Sequence, residues 1–118
     1  MKVIIAGGRS FCSEEHYKTL KLVCSELLSN YSDITIVSGT ASGADSLGER
    51  FATENNYELV KFPADWKRHG KSAGYIRNTE MAEYADMLIA FWDGSSKGTN
   101  HMLNIATNKK LIVNVTLY

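Results

Sequence analysis

The chain has 118 residues, 44% of them hydrophobic, which predicts a single domain over residues 1–118 with one hydrophobic core. Its 13 lysines and arginines balance 13 aspartates and glutamates, so no overall field attracts nucleic acid or a membrane surface. No apolar run approaches the ~20 residues needed to cross a bilayer and no secretory signal is recognisable, so we expect a cytoplasmic protein without a membrane partner.

Strands and helices alternate in the first half of the chain. Lys2–Ala6 is a nearly continuous apolar run that stops at two glycines, which is typical of a strand buried on both faces. Apolar residues then recur at helical spacing within Ser13–Asn30. Ile34–Ser38 predicts the second strand, and the glycine-rich turn Gly39–Gly43 leads into another amphipathic helix.

The second half continues this alternation. Its predicted elements are a strand at Glu58–Phe62, a polar irregular stretch at Ala64–Ala73, a helix at Tyr75–Tyr84, a strand at Met87–Trp92, a helix at Asn100–Asn108 and a strand at Leu111–Val115. Together, the elements predict an α/β fold with a Rossmann-like, doubly wound, mainly parallel five-stranded sheet flanked by helices.

Three loops rich in small residues follow the first, second and fourth predicted strands. They are Gly7–Arg9, Ser38–Asp45 and Asp93–Thr99. In a parallel sheet such loops meet at the carboxyl edge, where glycines, hydroxyls and the free amides of a helix start can bind phosphate. Alone, the third loop is equally well explained as an ordinary turn with Thr99 as helix N-cap. The convergence of three loops favours a phosphate-binding loop and a ligand crevice.

Charged residues in these loops suggest how a ligand would be held. Arg9 is placed to pair bidentately with a phosphate, or alternatively with a neighbouring aspartate, and Lys97 offers a point charge. Asp45 and Asp93 would repel phosphate, so we expect them to face a ribose or to serve structural roles. The candidate ligand-binding residues from the loops are Gly7, Gly8, Arg9, Ser38, Gly39, Ser42, Gly43, Asp45, Asp93, Gly94, Ser95, Lys97, Gly98 and Thr99.

Trp66 lies in a cationic segment, Asp65–Lys71. This segment is interpreted either as a flexible lid that grips phosphates or stacks a base on Trp66, or as a solvated loop that Trp66 anchors to the sheet. Phe11 and Tyr75 are the other candidate platforms for a base, although each is also a plausible core residue.

The sequence has no recognisable metal or cofactor site. The two cysteines, Cys12 and Cys24, form no CxxC pair, and neither His16 nor His69 has a metal-ligating partner at useful spacing. We therefore expect neither a metal nor a cofactor.

Four segments occur in the order seen in the SLOG superfamily: Gly7–Phe11, Val37–Asp45, Ala73–Met81 and Gly94–Thr99. The chain resembles the YspA-type branch of this superfamily, which also includes the DNA-processing protein DprA, the LOG nucleotide phosphoribohydrolases and nucleotide-sensing domains of phage-defence systems. The resemblance implies a domain that binds a nucleotide or a nucleotide-derived small molecule, such as an ADP-ribose species. It also implies a homo-oligomer, a phage-defence or counter-defence setting, and ligand contacts by Arg77 and Asn78.

The resemblance leaves catalysis open. In LOG enzymes, a helical arginine and a glutamate just after a GxGT turn support cleavage of the N-glycosidic bond between base and ribose 5-monophosphate. Arg77 matches that arginine, with Asn78 in place of a lysine, but Asn100–Met102 follows the turn and supplies no carboxylate. The candidate catalytic residues are Arg77, His101, Asp45 and Asp93.

These observations favour a binding module that senses or sequesters a nucleotide-derived ligand at the carboxyl edge of the sheet. The first alternative is a LOG-like hydrolase of N-glycosidic bonds in nucleoside monophosphates or related substrates. The second is DprA-like binding of single-stranded nucleic acid through Lys67–Lys71, against which the zero net charge argues.

Overall fold

A computed structural model describes residues 1–118 as a five-stranded parallel sheet with helices on both faces. The strands are β1 (Lys2–Gly7), β2 (Thr35–Ser38), β3 (Glu58–Lys61), β4 (Met87–Trp92) and β5 (Ile112–Leu117). The helices are α1 (Glu14–Leu28), α2 (Ala44–Glu54), α3 (Trp66–His69), α4 (Ala73–Tyr84) and α5 (Lys97–Asn108), with a 3₁₀ turn at Gly70–Ser72. The predicted α/β fold is confirmed.

The strand order is β3-β2-β1-β4-β5, and every neighbouring pair is parallel. The chain moves outward from β1 to β3 and then returns to the other side of β1. Ile4 in β1 accordingly pairs with Val37 of β2 on one side and Leu88 of β4 on the other. The strand order therefore reverses between β1 and β4, which is where ligands bind in open α/β sheets.

Alternate residues of β1 face two separate hydrophobic clusters, as the two-residue period of a strand requires. Val3 and Ile5 pack in the cluster that contains α1 and α2, whereas Ile4 and Ala6 pack in the cluster of α4 and α5. The α2 helix approaches closely, because a Cβ at Gly48 would lie 2.8 Å from Ile5 Cγ2. Burial on both faces thus fixes the central strand that leads into the site.

Two segments differ from the sequence-based expectation. The stretch expected to be irregular contains α3, where Asp65 Oδ1 accepts a hydrogen bond from the Arg68 amide at 3.1 Å. The last helix begins at Lys97 rather than Asn100, and its N-cap is Ser96, so the prediction of Thr99 as N-cap is wrong. None of the helices combines the length and apolar character needed to cross a membrane.

Candidate functional site

A cleft of about 490 Å³ opens at the carboxyl ends of β1 and β4. Its walls come from the loop after β1, the loop after β4, the starts of α2 and α5 and the middle of α4. The sequence-predicted ligand-binding residues that line it are Gly7, Gly8, Arg9, Asp45, Arg77, Asn78, Asp93, Gly98 and Thr99. The fold therefore brings the first and third predicted loops together with the middle of α4.

The first turn of α5 presents free backbone donors to this cleft. Ser96 makes no side-chain capping bond, and the amides of Lys97, Gly98 and Thr99 have no hydrogen-bond acceptor. The next amide, that of Asn100, donates to the Ser96 carbonyl at 3.1 Å. Nothing lies within 4 Å of where a Cβ at Gly98 would stand. Free amides at the positive end of a helix dipole are a binding site for an anion.

Two arginines line the same cleft. Arg9 is exposed and forms no ion pair, so the predicted alternative in which it pairs with a neighbouring aspartate is wrong. Arg77 is half-buried and donates to the Gly39 carbonyl and, at 3.0 Å, to Asn78 Oδ1. Burial lowers the pKa of Arg77, and the charge of Arg9 lowers it further. The repulsion between the two cations favours an anion bound between them.

The two aspartates of the cleft have opposite environments. Asp45 is only 6% exposed, and its Oδ2 accepts a hydrogen bond from the Ala41 amide at 3.0 Å. Burial raises the pKa of Asp45 to about 6, against the opposing effects of that amide and of Arg77.

Asp93 is exposed, and its Oδ1 accepts hydrogen bonds from the amides of Ser95 and Ser96 at 2.9 and 2.8 Å. These bonds lower the pKa of Asp93 below its ordinary value. Asp93 consequently fixes the turn before α5, whereas Asp45 exchanges a proton close to neutral pH.

Asn78 connects α4 to the first turn of α5. Its Nδ2 donates to the Gly98 carbonyl at 3.3 Å and lies 3.2 Å from His101 Nδ1. A bond from the amide to Nδ1 places the imidazole proton on Nε2, and burial lowers the pKa of His101 in agreement with a neutral ring. The His101 ring packs against the Tyr75 ring at a tilt of 52°, with centroids 4.4 Å apart, and His101 does not line the cleft. Asn78 thus holds Arg77 and the α5 turn in fixed relation.

The glycine-rich turn after β2 mostly contacts protein groups. The Ser38 hydroxyl donates to Glu49 at 2.6 Å, and a Cβ at Gly43, whose φ is +83°, would lie 2.5 Å from the Cα of Arg9. The expectation that this whole loop lines the crevice is wrong, because only Ala41 and Asp45 reach it. The predicted ligand-binding residues that do not line the cleft are Ser38, Gly39, Ser42, Gly43, Gly94, Ser95 and Lys97.

Several cleft residues were missed by sequence reasoning. Ala6, Met81 and Met102 form an apolar floor, and their pattern predicts ordinary core residues. Ser10 and Ser96 also line the cleft, and Ser10 Oγ lies 2.7 Å from the Tyr118 hydroxyl. The one sequence feature that could have identified these serines is their position, since Ser10 follows Arg9 and Ser96 lies in the glycine-containing turn before α5.

The three candidate base platforms have different accessibilities. Phe11 is fully buried and stacks on Phe91 at 4.5 Å, so it is a core residue and cannot receive a base. Tyr75 is 44% exposed and Trp66 is 56% exposed. The segment that carries Trp66 is helical over residues 66–69, in contrast to the expected loop.

Comparisons with known proteins agree with the motifs. The model of a family described as YAcAr, the YspA, cpYpsA-related SLOG family, matches residues 1–69. The gene 61 protein of Mycobacterium phage D29 is 33% identical over 111 residues, which cover 89% of this chain and 87% of that protein.

The fold is similar to a solved structure of DNA processing protein A (DprA) from Streptococcus pneumoniae, with a TM-score of 0.76 and 20% sequence identity. The likeness covers 97% of this chain but 49% of DprA, so the chain spans about half the length of that protein.

Proposed function

This chain belongs to the YspA, cpYpsA-related SLOG family, and we propose that its cleft binds a nucleotide or a nucleotide-derived small molecule through a phosphate group. The observation that carries this proposal is the uncapped first turn of α5, which lines the same cleft as Arg9 and Arg77. The free amides supply directional donors, and the arginines supply charge with bidentate geometry. A phosphate has enough acceptor oxygens to use both sets of donors at once.

The rest of the cleft suits a sugar next to that phosphate. The buried carboxylate of Asp45 accepts hydrogen bonds and repels phosphate, so a ribose hydroxyl is its suitable partner. The apolar floor contacts the carbon face of a ribose. An ADP-ribose-type molecule or a nucleoside monophosphate has both groups, and binding without turnover gives a module that senses or sequesters its ligand.

Isothermal titration calorimetry tests this proposal. The protein is titrated with AMP, ADP-ribose, cyclic ADP-ribose isomers and NAD, and with adenosine as the control that lacks phosphate. We expect stoichiometric heat from at least one phosphate-bearing compound and none from adenosine. Flat traces throughout, or equal affinity for adenosine and AMP, would contradict phosphate-directed binding.

Asp45 favours a second candidate function, the cleavage of an N-glycosidic bond. A carboxyl group with a pKa of about 6 that lines a ligand cleft exchanges protons near neutral pH, as a general acid or base must. In the reaction, water adds its hydroxyl to the sugar carbon and the base leaves with a proton.

Chromatography of reactions with AMP and ADP-ribose tests this second candidate. We expect free base with the wild type and at least about tenfold less with Asp45→Asn. If nucleotide is recovered intact after long incubation while calorimetric binding persists, the protein is a binding module alone.

A further inference from the structure

Trp66 presents an uncovered indole beside the cleft. Its side chain makes no aromatic stacking, cation–π or hydrogen-bonding contact, and it is 56% exposed. The other tryptophan, Trp92, is half-buried and donates its indole N–H to the Ser96 carbonyl at 3.1 Å. Exposing an indole in this way leaves a large apolar surface in water, which a planar ligand would cover.

Gly74 places this indole next to an arginine of the cleft. A Cβ built at Gly74 would lie 3.7 Å from Trp66 Cη2 and 3.6 Å from Arg77 Nη2. The outer edge of the indole and the guanidinium therefore face the same small space above the first turn of α4. Arg77 lines the cleft and Trp66 does not, so the indole lies beside an arginine of the cleft without lining the cleft itself.

The other exposed aromatic side chains near the cleft, Tyr75 and Tyr118, are less exposed than Trp66, at 44% and 37%. Tyr75 packs against the imidazole of His101, with ring centroids 4.4 Å apart and an interplanar angle of 52°. Phe11 is fully buried. The backbone that carries Trp66 is fixed by the turn of α3, which Asp65 caps. The indole is consequently accessible, and it is carried by a backbone with a fixed helical turn.

We propose that Trp66 is the stacking platform for the base of the ligand, so that the ligand class is a nucleotide with a planar base rather than a simple sugar phosphate. The inference rests on the proposed function, since it takes the phosphate to lie between Arg77 and α5. A ligand anchored there by its phosphate keeps its sugar in the cleft, beside Asp45, and directs its base out of the cleft past Arg77 towards the indole. Stacking of this kind accepts any base, because every base has a π face.

The test compares an adenine nucleotide, whichever of AMP and ADP-ribose binds more tightly, with ribose 5-phosphate, which lacks a base. Trp66→Leu is expected to weaken binding of the adenine nucleotide about tenfold or more and to leave the affinity for ribose 5-phosphate unchanged. Trp66→Phe keeps a ring and is expected to retain most of the affinity. Tyr31→Leu is the matched control, because Tyr31 is 39% exposed and lines a separate hollow with Asn56 and Glu58.

Tryptophan fluorescence gives an independent readout. The chain has two tryptophans, so Trp66→Phe leaves Trp92 as the sole emitter. We expect the adenine nucleotide to quench the tryptophan fluorescence of the wild type and to quench that of Trp66→Phe much less. Ribose 5-phosphate should quench the fluorescence of neither protein strongly.

The two proposals fail in different ways. If both ligands bind the wild type and Trp66→Leu weakens both equally or neither, the stacking inference is wrong and the phosphate site stands. If neither ligand binds the wild type, the phosphate site fails and the stacking inference fails with it.

Discussion

The substitution Asp45→Asn measures how much free energy of unfolding is lost when a carboxylate is buried in the wall of the cleft. Burial raises the pKa of Asp45 from an ordinary 3.8 to about 6. At 1.36 kcal/mol per pKa unit, this difference corresponds to about 3 kcal/mol. The native state holds the Asp45 proton more tightly than the unfolded chain does. The favourable contribution of Asp45 is therefore complete below about pH 4 and is lost as the pH rises through 6.

Urea unfolding of the wild type and Asp45→Asn between pH 4 and pH 7.5 measures this contribution. Asparagine keeps a carbonyl oxygen for the Ala41 amide and carries no charge. We expect the free energy of unfolding of the wild type, relative to the variant, to fall by about 2.5 kcal/mol across this range, because part of the total difference is already lost at pH 4.

Asp93→Asn is the matched control, because backbone amides lower the pKa of Asp93. The carboxylate of Asp93 therefore stabilises the fold above about pH 4, and this contribution is lost as the pH falls. The wild type should keep a nearly constant difference from Asp93→Asn between pH 4 and pH 7.5 and lose stability relative to it only below about pH 4, the opposite direction to Asp45. If the difference between wild type and Asp45→Asn stays constant from pH 4 to pH 7.5, the buried carboxyl does not titrate as argued.

Three further predictions concern the anion site and the cysteines. Arg9→Ala should raise the Kd for AMP about tenfold with little change in the free energy of unfolding, because Arg9 has no protein partner. Calorimetry measures the Kd and urea unfolding measures the stability. Arg50→Ala, which removes a residue of a surface ion-pair cluster, is the control. In Gly98→Ala, the free energy of unfolding measured in urea should be unchanged or higher by about 0.5–1 kcal/mol, because the new Cβ meets no protein atom. The same Cβ obstructs the free amides, so AMP should bind at least about tenfold more weakly. Unchanged affinity would place the phosphate elsewhere. Iodoacetamide should label the exposed Cys12 in the native protein and the buried Cys24 only after unfolding. Burial also raises the pKa of the Cys24 thiol to about 12. If mass spectrometry finds that both thiols are labelled at equal rates, the assignment of Cys24 to the core is wrong.

The alternation of strands and helices was predictable because the core has a regular period. Apolar runs such as Met87–Trp92 are buried from both sides, and the observed β4 has these same bounds. The start of α5 was not predictable to the residue. Lys97 and Gly98 read as loop residues, and their helical conformation follows from the turn that Asp93 fixes through two backbone amides. Propensity alone carries no information about such a side-chain contact.

The site was predictable to the level of which strand ends meet. Arg9, Arg77 and Asp93 were expected at one crevice, and they line it. The prediction that the whole loop after β2 lines the crevice failed, because glycine is used for close packing of protein backbone as well as for close approach of a ligand. Gly43 shows the first use, since it packs against the loop of Arg9. Sequence spacing does not distinguish the two uses.

Backbone amide chemical shifts measured during a titration with AMP test the phosphate site most directly. In ¹⁵N-labelled protein, we predict that the amide signals of Gly98 and Thr99 move the most and saturate with a single Kd. Adenosine, which lacks the phosphate, should leave these two signals in place. Saturable AMP binding that shifts other amides and leaves Gly98 and Thr99 unchanged would contradict a phosphate bound at the first turn of α5.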